Sequence, residues 1–97
     1  MPTYVTLYKW TEQGIHGVRD TVDRADQLIA AGEAAGGRVV GLWWTQGAYD
    51  LVVVSEWPDE DAAMAQALRV AMGGNVRSET LRAFGKEDMR RILGTLG

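Results

Sequence analysis

The stretch RVVGLWWTQGAYDLVVVSEW, Arg38 to Trp57, decides the fold. Val39-Val40-Gly41-Leu42-Trp43-Trp44 and Leu51 to Trp57 are apolar runs rich in β-branched and aromatic residues, and Thr45 to Asp50 breaks them with Gly and Asp. Two such runs around a short polar break predict a β-hairpin, with Gly47 free to take the positive φ the loop needs. Side chains alternate along a strand, so Trp43 and Trp44 fall on opposite faces of the sheet.

Upstream of the hairpin, Thr3-Tyr4-Val5-Thr6-Leu7-Tyr8-Lys9-Trp10 has the composition of a strand, with Val5 and Leu7 on one face and Tyr4, Thr6, Tyr8 and Trp10 on the other. Thr11 to Asp20 reads as a loop with a short helical turn. Asp20 or Thr21 is expected to cap the helix that follows, whose apolar stripe is Val22, Ala25, Leu28, Ile29, Gly32 and Ala35. Gly36-Gly37 ends it. Downstream, Pro58-Asp59-Glu60-Asp61 starts a second, Ala-rich helix that stops at Gly73-Gly74. Asn75 to Phe84 is a more polar fourth strand, and Lys86 to Leu96 a terminal helix with Met89, Ile92, Leu93 and Leu96 on its apolar side.

The order β-α-β-β-α-β plus a short helix is that of an α+β, ferredoxin-like fold with an antiparallel four-stranded sheet. Both helices cover one face. The face carrying Tyr and Trp is expected to be the uncovered one, and an apolar patch of that size marks an interface. Two sheets packed face to face make a dimeric α/β barrel with a chamber between them, so the expected partner is a second copy of the chain.

The 97 residues make one domain. With 46% hydrophobic and 24% charged residues the composition is that of an ordinary globular domain. A net charge of −3, with bases scattered among acids, argues against nucleic acid as a partner. There is no Cys, which removes disulfides and thiolate chemistry, and no apolar run near the about 20 residues of a membrane span. A cytoplasmic location is expected, because no signal-peptide pattern precedes the first strand. The residues call for no cofactor and show no metal-ligand spacing.

Tyr4-Val5-Thr6-Leu7, Lys9-Trp10-Thr11, Gln13-Gly14-Ile15, Trp44-Thr45, Gly47, Tyr49-Asp50 and Gly74 to Phe84 together resemble the GYD domain family over nearly the whole chain. The resemblance implies a ferredoxin-like, dimeric α/β barrel of bacterial and archaeal proteins, and no general activity or catalytic residue set.

Candidate chemistry centres on few residues. Asp50 is a candidate general base, with Tyr49 as acid or donor at a chamber mouth and Glu79 as a further proton-transfer group. The plainer reading has Asp50 locking the turn through backbone amides. Trp10, Trp43, Trp44 and Trp57, with Tyr4 and Tyr8, are candidates to line an apolar chamber, or simply to fill a dimer core. Arg77 and Glu79 share a face of the fourth strand and could orient a carboxylate, or protect an edge strand. His16 stands alone in a loop, where an exposed role outweighs metal or haem ligation. Three functions compete on these residues. They are a small-molecule-binding or assembly module, a cofactor-free isomerase or monooxygenase, and a haem protein using His16.

Overall fold

The computed structural model describes residues 1–97. Its elements are β1 (Thr3–Trp10), α1 (Glu12–His16), a 3-10 turn (Val18–Asp20), α2 (Thr21–Ala34), β2 (Arg38–Trp44), β3 (Leu51–Glu56), α3 (Glu60–Met72), β4 (Val76–Ala83) and α4 (Lys86–Leu93). The four strands form one sheet in the order β2-β3-β1-β4, antiparallel throughout. This is the expected ferredoxin-like arrangement.

The hairpin forms where expected. Thr45 N–H donates to the Asp50 carbonyl at 2.8 Å to close the loop, and Gly47 sits at φ 102°. Val40 is the extra residue of a bulge in β2, between the Val39–Ser55 and Gly41–Val54 pairs. Asp59 caps α3 by accepting from Ala62 N–H at 2.8 Å.

The segment after β1 is more helical than a loop, and the capping differs from expectation. Thr11 caps α1, accepting from Gly14 N–H at 3.1 Å. Asp20 makes no side-chain cap to α2, because the 3-10 turn runs straight into that helix. The Thr21 hydroxyl instead accepts from the Trp44 indole N–H at 3.1 Å. The terminal helix stops at Leu93, and its Leu93 and Leu96 stay exposed.

The faces of the sheet are the reverse of the expected assignment. Strand register places Tyr4, Thr6 and Tyr8 level with Ser55, Val53 and Leu51 of β3 and with Arg82, Thr80 and Ser78 of β4. This ring-bearing face, with Trp10 and Trp44, lies under the helices. The uncovered face carries Val5 and Leu7 of β1, Val52 and Val54 of β3, Trp43 of β2, and Arg77, Glu79 and Leu81 of β4. The physical reason lies in the helices. They turn small residues to the sheet, Ala25 and Gly32 from α2 and Ala63 and Ala67 from α3, and the depth this leaves is filled by rings. Both faces of β1 are apolar, so alternation alone does not say which one the helices take.

Trp57 anchors the packing at one end of the helices. It is 3% exposed, its indole N–H donates to the Ser55 hydroxyl at 3.0 Å, and its ring lies over Gly32 and Gly37. A Cβ on Gly37 would stand 2.3 Å from that ring, so only glycine fits there. Elsewhere the single chain is thinly packed, with six of 97 residues buried. On the open face Trp43 is 53% and Leu81 46% exposed.

Candidate functional site

The helices straddle the sheet. They come together where Gly32 of α2 meets Trp57 and Gln66, and Gln66 Nε2 donates to the Leu28 carbonyl at 3.2 Å. Toward the start of α2 and the end of α3 they part, leaving a cavity of about 280 Å³. Its floor is the middle of the sheet, with Tyr8 and Trp10 of β1 and Leu51 and Val53 of β3. Its walls include Ala25, Leu28 and Ile29 of α2 and Val70 of α3. Apolar side chains dominate, as in most small-molecule sites.

The polar groups of this cavity are few. Arg24 of α2 and Arg69 of α3 both line it, and no Asp or Glu does. Arg24 Nη1 donates to the Gly17 carbonyl at 2.6 Å, whereas its Nη2 is buried without a partner. It is the only buried side-chain nitrogen or oxygen in the molecule left so. Arg69 Nη1 donates to Gln66 Oε1 at 2.6 Å. Neither guanidinium belongs to an ion pair, all three of which lie elsewhere. Burial pushes the Tyr8 phenol above its ordinary value, with the Thr6 hydroxyl pulling the other way, so Tyr8 is a neutral hydroxyl in the cavity wall at physiological pH.

Of the residues singled out in the sequence, Tyr8 and Trp10 line this cavity. Tyr4 borders a smaller space of about 50 Å³ near Trp57. Trp44 lies on the same face, but its indole is engaged by Thr21. Arg77 stands on the opposite, uncovered face with Glu79, yet the two form no ion pair.

The structure also divides the proposed proton-transfer trio. The Tyr49 hydroxyl donates to Glu79 Oε2 at 2.6 Å, and the Lys9 ammonium sits 5.3 Å from the Tyr49 ring centre. The Glu79 carboxylate, first as hydrogen-bond acceptor and then as a charge, raises the Tyr49 phenol above its ordinary value. A phenol held neutral in this way is a poorer acid. Asp50 points elsewhere: its Oδ2 accepts from Trp10 N–H at 2.8 Å, while its own N–H donates to the Tyr8 carbonyl at 2.7 Å. It pins the loop to the end of β1. His16 is exposed at the end of α1 and lines neither space.

Arg24 and Arg69 are absent from the sequence reading. Arg24 lies among Asp23 and Asp26 and carries no local signal. Arg69 carries one, being the sole charged residue between Asp61 and Arg77.

The fold has a counterpart among known proteins. The crystal structure of TTHA0845 from Thermus thermophilus superposes with a TM-score of 0.56 and 23% sequence identity, over 88% of this chain and 95% of that one. This likeness shows a shared fold. Comparison with curated protein sequences gives no match. No helix is long and apolar enough to cross a membrane. The GYD domain profile matches residues 4–93, nearly the full length, and the chain belongs to the GYD domain family.

Proposed function

We propose that this protein binds a small apolar or aromatic molecule in the cavity beneath its helices and works as a self-associated pair. The observation that carries the reading is the parting of α2 and α3 over a ring-lined floor, which leaves about 280 Å³ at the centre of a domain that otherwise has little core. An engineered apolar cavity of roughly 150 Å³ takes up benzene, so this space suits a body of about two rings.

Self-association rests on the uncovered face. Val5, Leu7, Val52 and Val54 form its centre, with Trp43 and Leu81 beside them and Lys9, Arg77 and Glu79 at one end. An apolar centre with a charged rim is the make-up of a protein interface. Bulged β2 and charged β4 blunt the two sheet edges, which directs association to the face. The enzymatic alternative, isomerase or monooxygenase chemistry, has the Tyr49–Glu79 hydrogen bond as its support, and the raised Tyr49 phenol counts against it as a proton donor.

Calorimetry with 2-naphthylmethanol, a neutral two-ring probe, tests the binding. Binding to the wild type and none to Ala25→Trp, which fills the cavity, is expected; equal binding by both sinks the cavity as the site. Sedimentation equilibrium tests the assembly. The wild type should run as a dimer and Val52→Asp as a folded monomer, and a monomeric wild type refutes the pairing.

A further inference from the structure

The chain carries net charge −3, yet the lining of its main cavity contains two arginines and no acid. Desolvated charge is costly unless an opposite charge or a full set of hydrogen bonds offsets it. Neither Arg24 nor Arg69 has a carboxylate partner, and Arg24 Nη2 is buried without any acceptor. The bonds they do make, to the Gly17 carbonyl and to Gln66 Oε1, each occupy one Nη1. Two guanidiniums without a counter-ion, one from each helix, thus border an apolar cavity. Such planar forks match a two-oxygen anion.

We propose that the ligand of this cavity is an organic anion, a ring-bearing carboxylate or sulfonate whose apolar body lies against Trp10 and Leu28 and whose charged head is held by Arg24 and Arg69. The inference rests on the cavity being a binding site and adds the charge of what enters it. The head supplies the counter-charge that both guanidiniums lack, and the absence of acids in the lining removes the repulsion that would otherwise oppose it. A neutral ligand of the same shape supplies no such counter-charge. Discrimination then comes mainly from the charged head, and the apolar walls select for size.

The test compares 2-naphthoate with 2-naphthamide, two probes of one shape differing in head charge, by calorimetry on the intact protein. Naphthoate is expected to bind about tenfold or more tighter than the amide, the usual advantage of a hydrogen bond to a charged group. Arg24→Met and Arg69→Met should each weaken naphthoate by a similar factor and leave the amide within about twofold, which also reports that the variant is folded. Because Arg24 additionally holds the Gly17 carbonyl, Arg69→Met decides the matter if Arg24→Met loses both probes. Equal affinity for the two probes, or variants that bind naphthoate like the wild type, overturns the anion while leaving the cavity as a site for neutral ligands. Failure of both probes to bind the folded wild type removes the site itself and the inference with it.

Discussion

A single added methyl at Gly14 should unseat the segment that closes one end of the cavity. A Cβ built there lies 1.9 Å from the carbonyl oxygen of Asn75 and 2.8 Å from its carbonyl carbon, both backbone atoms that no rotamer can move. Restoring ordinary contact requires a displacement of about 1.5 Å between α1 and the start of β4. Four hydrogen bonds span that gap. Thr11 N–H reaches the Asn75 carbonyl at 3.1 Å, the Thr11 hydroxyl reaches the Gly74 carbonyl at 2.6 Å, and Gln13 Nε2 reaches the Gly73 carbonyl at 2.8 Å and Asn75 Oδ1 at 3.1 Å. At about 1 kcal/mol each, partial loss costs about 2–4 kcal/mol. Ala gains about 1 kcal/mol over Gly within a helix, which leaves a net loss of about 1–3 kcal/mol. For a domain of this size that lowers Tm by roughly 5–20 °C. Thermal unfolding followed by circular dichroism measures it, with Gly85→Ala as control, where the methyl meets only the Asp88 carboxylate at 3.8 Å and the change should stay within about 0.5 kcal/mol. A Gly14→Ala protein as stable as the wild type, or more so, refutes the close approach of α1 to Asn75. Gly73 and Asn75 also line the cavity, so the variant should bind 2-naphthylmethanol more weakly as well.

Trp57→Ala removes the one large side chain that is almost fully enclosed, and the void should cost about 3–5 kcal/mol in denaturant unfolding; a loss below about 1 kcal/mol would show that α2 and α3 do not close over it. The Tyr49–Glu79 link is open to alkaline titration at 295 nm. Because its folded value is raised above the ordinary 10.0, the link's contribution is present below pH 10 and is lost as pH rises through the folded value. Glu79→Ala should bring that ionisation down while Tyr8, raised by burial, stays where it is, and an unaltered curve contradicts the pairing.

Element order and topology were legible in the sequence because each boundary carries its own chemistry. Gly47 and Asp50 mark the hairpin turn, Asp59 the start of α3, Gly36-Gly37 the end of α2. Sidedness was not. Tyr4, Tyr8 and Trp10 alternate with Val5 and Leu7, and two apolar faces give no polar signal to say which meets water. The answer depends on how much space small helix residues such as Ala25, Gly32, Ala63 and Ala67 leave, a tertiary quantity. Asp50 does lock its loop through a backbone amide, but the amide is that of Trp10, 40 residues away, a partner no local pattern names. Arg24 was hidden because Asp23 and Asp26 make it look solvated, though its stem runs inward. The pairing of Tyr49 with Glu79 joins residues 30 apart in the chain and has no local trace.

The central strand has consequences for how the molecule is made. Within this sheet β1 is the first strand to be synthesised, and one of its two neighbours, β4, is the last. Thr11 and Gly74, which join across this seam, are 63 residues apart. At about 5–20 residues per second, translation leaves β1 with an open edge for roughly 3–13 s, long against the microseconds a hairpin takes to form. The β2–β3 hairpin can take one side of β1 in the meantime, but the other stays available to any passing strand. Nascent chains of this protein therefore depend on the late arrival of Val76 to Ala83, and a stall or truncation before that point would release a sticky three-stranded fragment rather than a smaller working domain.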